Sequence, residues 1–549
     1  MIKATGAEIT VKLLERQNVR FAAGIPGASI LPIYDALSKS TIQHILVRHE
    51  QAGGFIAQGI ARSTGEPAVC LATSGPGAMN LLTAIADARA DSIPLVAITG
   101  QVSTGFIGTD AFQEADTFGL SLPITKHSML ISSAEELFEA VPKAFSIALS
   151  GRPGPVLIDI PVDIQKQTVT FEDWPEPGRK ERKAARFRTE GRELAEKLNL
   201  FANTLLSASN PVIFAGGGCS SPESSEALQK LLEVFPCRVV SSLFGLCTLP
   251  RNNPFFIGMT GIYGSAQANE ALAGADVILA CGVRFDERAV GKISFEGKKL
   301  LHIDIDAAEI NKLVSPYCAV TADTESVLPV ITELMRQKNA SKTPAVKKAD
   351  TVQNANPLSS GAELIQQFAE AAQSAGLSLN DAIITADVGL HQMWTAQGFP
   401  FSAPKQFLTS GSLGTMGFAL PAAIGAALSN PTKRIICFSG DGSILMNIQE
   451  LATLAELNLD VTVIIFDNNS LGMVRRQQDL FYRHRHSACI FKKPSDAARI
   501  AEAFGIEAIH LSHEAVMSPE RHSSWNDFAF PKTGSGPRFI QCDIPKNWN

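Results

Sequence analysis

Two short polar clusters carry the clearest chemistry in this chain. Gly440-Asp441-Gly442 follows the apolar run Arg434-Ile435-Ile436-Cys437-Phe438, and Asp467-Asn468-Asn469 follows a second run, Val461 to Phe466. A helix-length segment separates them, so two parallel strands joined by a crossover helix would bring both clusters to one sheet edge. There the carboxylate of Asp441 and the amide oxygen of Asn468 form a hard-oxygen pair suited to Mg²⁺, a cation that keeps diphosphate oxygens in its shell. Gly440 and Gly442 let the backbone approach those phosphates. The expectation is a metal-bridged diphosphate site.

A second candidate lies near the N-terminus. His44-Ile45-Leu46-Val47-Arg48-His49-Glu50 reads as a strand ending in charge, and Gln51 to Gly59 opens a helix of small residues. Small residues let backbones pack closely, and a carboxylate at a helix start sits near the favourable end of the dipole. By itself Glu50 reads most often as a structural cap.

Elements to position these groups are legible around them. The chain has 549 residues, 19% charged, with net charge −6, a composition that points away from nucleic-acid and membrane surfaces. The first residues read as a short amphipathic helix without the apolar run of a signal peptide, and no segment reaches membrane-spanning length. Nine scattered cysteines without a CxxC pair fit reduced, buried thiols and a cytoplasmic location. His484-Arg485-His486 with Cys489 reads as surface charge, lacking a second cluster at zinc-site spacing.

The two ends of the chain echo each other. Gly154 to Pro161 (GPVLIDIP) returns as Gly536 to Pro545 (GPRFIQCDIP), and Ser74-Gly75-Pro76-Gly77 parallels Ser439-Gly440-Asp441-Gly442. Apolar runs at Val212–Ala215, Val239–Leu243, Val277–Ala280 and Leu300–Ile305 mark a third parallel sheet between them. The expected fold class is α/β, with three consecutive doubly wound parallel-sheet domains at 1–165, 191–336 and 358–549. Linkers at 166–190, with a basic run from Arg179 to Arg188, and at 337–357 join them.

The pieces RHEQAGGFIAQGIAR, ATSGPGAMNLLTAIADA, IGTDAFQEAD, GVRFDERAVGK, ADVGLHQMWTAQ, SLGTMGFALPAAIGA and SGDGSILMNIQEL, in this order, are specific. On them the chain resembles the catalytic subunits of acetohydroxyacid (acetolactate) synthase, among the thiamine-diphosphate enzymes. The resemblance implies that Glu50 hydrogen-bonds N1′ of the cofactor's aminopyrimidine and so promotes loss of its C2 proton. It also implies Mg²⁺ on Asp441, Asn468 and the carbonyl of Ser470. Cofactor contacts are implied at Pro76, Asn80, Val388, Gly389, His391, Gly414, Met416, Gly442 and Ser443, the GTM segment Gly414 to Met416 holding the aminopyrimidine. Phe112, Gln113 and Lys126 would line the reaction site, and Arg284 would select the second keto acid, a bidentate task suited to a guanidinium. A surface salt bridge is the alternative for Arg284.

FAD is implied in the middle domain, at Gly216, Gly217, Gly218, Gly264, Arg288, Asp304, Asp306 and Asp323. Taken alone, the glycine triplet reads as a plain turn. The implied reaction decarboxylates pyruvate and transfers the two-carbon unit to pyruvate or 2-ketobutyrate, the first common step of branched-chain amino-acid synthesis. A homodimer or tetramer with sites at the subunit interface is implied, with a regulatory small subunit as a further partner.

Four departures bear on the acceptor. Ile262-Tyr263-Gly264 replaces the family's Met-His-Gly, Leu390 replaces a polar diphosphate contact, and Gln477 stands where most members have Trp. The sequence stops at Asn547-Trp548-Asn549, where the family continues with a closing tail. Gln477 and the missing tail predict a more open acceptor pocket. That keeps open an acyloin-forming relative acting on ketones or keto-sugars, and a pyruvate oxidase.

Overall fold

The computed structural model describes residues 1–175, 191–338, 358–517, 528–530, 534–546 and 548. Most of both expected linkers, the basic run Arg179–Arg188 included, and Asn547 and Asn549 lie outside the described residues. Three six-stranded sheets account for the α/β architecture. The first contains Phe21–Gly24, Gln43–Leu46, Ala68–Ala72, Leu95–Gln101, His127–Leu130 and Pro155–Pro161, all parallel. The last contains Ala382–Ala386, Phe407–Thr409, Arg434–Gly440, Val461–Asp467, Glu507–Leu511 and Arg538–Asp543.

Numbered along the chain, the strands of both end sheets lie in the order second, first, third, fourth, sixth, fifth. The repeated GP motif forms the sixth strand of each, and the SGPG and SGDG turns each follow the third. The sequence echo is therefore a repeat of topology. The central sheet differs: Pro211–Ala215, Arg238–Ser241, Phe256–Met259, Val277–Cys281, Lys299–Asp304 and Cys318–Thr321 lie third, second, first, fourth, fifth, sixth. That is the order of dinucleotide-binding folds, with the switch point beside its first strand.

Strand Ala68–Ala72 shows how one sheet serves two layers. Val69 and Leu71 join a core of large aliphatics on one face, while Ala68, Cys70 and Ala72 join a core of smaller side chains on the other. Alternation of side chains makes both faces apolar, as a doubly wound sheet requires. The small-residue face seats the parallel helices Glu50–Thr64 and Pro76–Asp91.

The two end sheets belong to one compact unit, formed by Met1–Arg182, Asp381–Gln392 and Leu408–Asn547; the central sheet belongs to the other. Within the first unit, helix Glu50–Thr64 crosses helix Ala419–Ser429 backbone to backbone. A Cβ on Gly59 would stand 2.2 Å from the Ala422 carbonyl, and one on Gly425 2.0 Å from that of Ile56. Any side chain at either position would push these helices apart.

Local expectations need three corrections. The stretch after Asp441 is not one helix but two short ones, Asp441–Ile444 and Glu450–Glu456. Residues 1–16 begin with a strand, Ile2–Thr5, before the capped helix Gly6–Arg16. That strand pairs antiparallel with Thr168–Phe171, so the segment expected as an exposed connection starts with a strand, and Trp174 packs edge-on against Phe171. All nine cysteines are free thiols, eight of them buried. Among the described residues no helix is long and apolar enough to cross a membrane. His484 and His486 both meet one carboxylate oxygen of Asp479, at 2.8 and 2.6 Å, a hydrogen-bonded cluster at the protein surface.

Candidate active site

The switch point of the last sheet lies between its first and third strands, and their C-terminal ends deliver Asp387-Val388-Gly389 and Asp441-Gly442-Ser443 side by side. Ser443 Oγ donates to the Val388 carbonyl at 2.9 Å, stitching the two turns together. The fourth strand then brings Asn468 and Ser470 alongside. The Ser470 amide donates both to Asp441 Oδ2 at 3.0 Å and to Asn468 Oδ1 at 3.1 Å, so both expected ligand oxygens converge on one backbone position. Asp441, Asn468 and Ser470 are all buried.

Asp467 is the neighbour that sequence reading passed over. Burial, with the adjacent Asp467 carboxyl second, pushes Asp441 up to about 8. Among the described residues no Lys or Arg forms an ion pair with either acid. Two buried carboxyls together lack a positive charge, and carboxylate, amide and carbonyl oxygens are the donors a hard divalent cation selects. The residues present fit Mg²⁺.

His391 is also buried here, and burial pushes it down to about 3, so the ring is neutral at pH 7. Gly389 has φ 155°, and a Cβ there would lie 2.5 Å from the His391 ring. Leu390 is buried, and its Cδ1 would stand 2.9 Å from a Cβ on Gly472, at the base of helix Gly472–Phe481. That helix buries none of its residues and carries Gln477 exposed.

Asp387, also missed from sequence, anchors the segment bearing Gly414 and Met416. Its Oδ1 accepts from the amides of Gly417 at 2.8 Å and Phe418 at 3.1 Å, and its Oδ2 from Ser439 Oγ at 3.0 Å. Gly414 itself sits at φ 72°, the left-handed region where a side chain is strained. Its signal in the sequence was an acid directly after the buried run Ala382–Ala386.

At the matching edge of the first sheet, Glu50 is the first residue of its helix, and His49 rather than Glu50 caps it, Nδ1 accepting from the Gln51 amide at 3.2 Å. Released from capping, Glu50 accepts from Asn80 Nδ2 at 2.9 Å. Pro76 opens the helix that carries Asn80, and a Cβ on Gly77 would lie 3.2 Å from Glu50 Oε1. Gly75, at φ 58°, backs onto Gln113, itself at φ 60°, and the neighbouring Phe112 is 87% exposed. Glu50, Pro76, Asn80 and Gln113 therefore share one edge. Lys126 does not join them. It precedes its strand, at the opposite sheet edge, and its ammonium donates at 2.5 Å to the carbonyls of Ile147 and Ser150, closing a helix C-terminus.

The loop with Phe112 and Gln113 is tied to the sheet through Gln101, whose Nε2 donates to the Ala115 carbonyl at 2.8 Å and to buried Asp159 at 3.0 Å. Thr99 Oγ1 donates to the same carboxyl at 2.7 Å. Burial pushes Asp159 up to about 7 against these hydrogen bonds, with Asp116 the facing charge that raises it further. A raised carboxyl means the native state holds the proton more tightly. Its contribution to stability is present below about pH 4 and lost as pH rises to about 7, in all of the order of 4 kcal/mol. Melting curves should therefore show Asp159→Asn gaining on the parent protein across that window and running parallel above it. A difference independent of pH would refute the assignment.

In the central sheet, every residue expected at FAD follows a strand on one edge. Gly216–Gly218 follow the first strand at the switch point, Gly264 the third, and Arg284 and Arg288 the fourth; Asp304 and Asp306 lie at the end of the fifth and Asp323 after the sixth. Cβ atoms on Gly216 and Gly218 would lie 2.1 Å and 2.8 Å from the backbone of Gly282, so close strand-to-strand packing already requires these glycines. Asp304 and Asp323 are buried, and Arg288 is exposed. A glycine turn at the switch point with acids at later strand ends fits a dinucleotide.

Comparison with known proteins gives this geometry its context. Residues 4–120 match the family model "Thiamine pyrophosphate enzyme, N-terminal TPP binding domain", 187–331 its central domain, and 387–541 its C-terminal TPP binding domain. The chain is 46% identical over 514 residues to the acetolactate synthase isozyme 1 large subunit of Escherichia coli (strain K12), covering 93% of this chain and 90% of that one. It is 40% identical to the isozyme 2 large subunit of the same organism, covering 93% and 91%. Identity to acetolactate synthase 2, chloroplastic, of Nicotiana tabacum is 41%, covering 92% and 78%. With three domains in that order and a buried cation-ready site at the last switch point, the chain belongs to the thiamine-diphosphate enzymes and, within them, to the acetolactate synthase large subunits.

Proposed function

We propose that this protein decarboxylates pyruvate and joins the two-carbon unit to a second 2-keto acid, giving 2-acetolactate from pyruvate or 2-aceto-2-hydroxybutyrate from 2-ketobutyrate. The observation that carries the reading is the buried oxygen set of Asp441, Asn468 and Ser470 on the edge that also presents Gly414 to Met416. Thiamine diphosphate, when bound, supplies the carbanion chemistry that releases CO₂ from a 2-keto acid. Asp441, Asn468 and the Ser470 carbonyl would hold Mg²⁺, neutral His391 and the Val388–Gly389 turn would bind the diphosphate, and Glu50 would hold a proton at the aminopyrimidine N1′. The edge from Gly216 to Asp323 in the central sheet would hold FAD, in a structural role, because the carboligation has no net redox change. Phe112, 87% exposed beside Gln113, suits a site completed by a second copy in a dimer or tetramer. A regulatory small subunit is a further partner, and Arg284 contacts the acceptor carboxylate.

Incubating the protein with pyruvate, thiamine diphosphate, Mg²⁺ and FAD, while CO₂ and acetolactate are quantified together, tests the reading. Two pyruvates consumed per acetolactate support it. CO₂ without acetolactate transfers the proposal to a ketone or keto-sugar acceptor, and oxygen consumption to an oxidase. The exposed Gln477 supports a more open acceptor side. Gln477→Trp should raise the preference for 2-ketobutyrate over pyruvate about tenfold, the scale of one apolar pocket contact, while sparing donor decarboxylation. Unchanged competition between the two acceptors would remove Gln477 from the acceptor pocket.

A further inference from the structure

A heavily built polar assembly lies outside the residues so far assigned to chemistry. Arg62, Asp87 and Asp91 are almost wholly enclosed, with side chains 6%, 0% and 0% exposed. One guanidinium nitrogen of Arg62 meets Asp91 at 2.8 Å and Asp87 at 3.2 Å, and the other donates to the Thr409 carbonyl at 3.0 Å. Gln58 Oε1 accepts from the same group at 2.8 Å, and the ring of Phe418 lies 4.9 Å beneath it. The carboxylates then turn their remaining capacity on one loop. Asp91 accepts the amides of Gly411 at 3.0 Å and Ser412 at 2.9 Å, and Asp87 accepts the hydroxyls of Thr415, at 3.0 Å, and Ser410.

That loop, Thr409 to Phe418, carries Gly414 and Met416. Asp387 grips its far end through Gly417 and Phe418, so the segment between is suspended from carboxylates on both sides. Burying three charges costs free energy that bland packing would avoid, and the arrangement is economical only if a fixed geometry is gained. The helices supply that fixity. Glu50 and Arg62 lie at opposite ends of one helix, and Asn80 and the two aspartates lie on its parallel neighbour. Asn80 meets Glu50 at the first end, and Asp87 and Asp91 meet Arg62 at the other.

We propose that Arg62, Asp87 and Asp91 are positioning residues: a buried clamp by which the N-terminal domain sets the loop Ser410–Met416 in the shape that receives the aminopyrimidine of thiamine diphosphate. The proposal rests on the functional reading above. It assigns the cofactor's loop a preformed geometry in the empty protein, dictated by a domain to which the loop does not belong. Preorganisation of this kind raises affinity by removing the ordering cost of binding.

Two variants act on the clamp from opposite sides. Asp91→Asn sets an amide NH₂ against donors that now meet a carboxylate, and Ser410→Ala removes one loop hydroxyl while leaving the Arg62 pairs intact. In the cofactor-free protein, amide hydrogen exchange at Gly411, Ser412 and Thr415 should accelerate at least tenfold in Asp91→Asn. Calorimetric titration with thiamine diphosphate and Mg²⁺ should show affinity about tenfold weaker in both variants. A purely structural role would move the melting midpoint and leave that affinity unchanged. Wild-type affinity in a variant with accelerated exchange overturns the proposal, as does unchanged exchange in Asp91→Asn. Should Asp91→Asn fail to fold, the affinity of Ser410→Ala decides alone. Absence of thiamine diphosphate binding by the unaltered protein would instead overturn the functional reading itself.

Discussion

Glu50→Gln should fold and release CO₂ from pyruvate about 10²–10⁴-fold more slowly than the unaltered protein. The side chain keeps its length and its neighbour, since an amide oxygen can still accept from Asn80 Nδ2, now at 2.9 Å from the carboxylate. Lost is the ability to hold and return a proton at N1′. Because His49 provides the helix cap, the substitution leaves the helix start intact, and the effect on the melting midpoint should be small. The measurement is single-turnover CO₂ release, with exchange of the cofactor's C2 proton followed by NMR as its mechanistic counterpart. Exchange slowed in step with decarboxylation places Glu50 at proton transfer. Near wild-type turnover would mean that this carboxylate has no part in cofactor activation.

Asp441→Asn should separate binding from folding more sharply still. Replacing one oxygen ligand of a hard cation should weaken Mg²⁺–thiamine diphosphate binding by more than about 100-fold, the upper end for groups that merely support metal ligands. The cofactor-free protein should lose no stability and gain some. In that state burial, with the adjacent Asp467 carboxyl second, pushes the Asp441 carboxyl up to about 8. An amide needs no proton taken up on folding at neutral pH, and its Oδ1 can still accept from the Ser470 amide at the present 3.0 Å. A higher melting midpoint without cofactor, combined with loss of the midpoint shift on adding cofactor and Mg²⁺, is the expected signature. Binding within threefold of the parent protein would sink the proposed cation site.

The oxygen set was legible in the sequence because it is local. A strand, a tight turn and the next strand put Asp441 and Asn468 on one edge by rules of crossover handedness and side-chain period alone, and the fold sets them about one shared amide. Duplication of the end domains was legible for a similar reason: buried strands tolerate few residue types, so GPVLIDIP and GPRFIQCDIP retained a common outline over the same topological position.

Other features depended on partners far along the chain. Nothing near Asp87 or Asp91 in sequence announces Ser410 or Gly411, more than 300 residues away. Asp467 read as a companion of Asn468 until packing set it against Asp441. Lys126, assigned to the reaction site by resemblance, turned to a helix C-terminus because its strand begins, rather than ends, at that residue's side of the sheet. Local sequence determined which residues end each strand, since backbone sterics and alternation act over a few residues. Only the tertiary structure decided which buried charges meet, because a charge excluded from water takes its partner from whatever the packed helices and loops bring within reach.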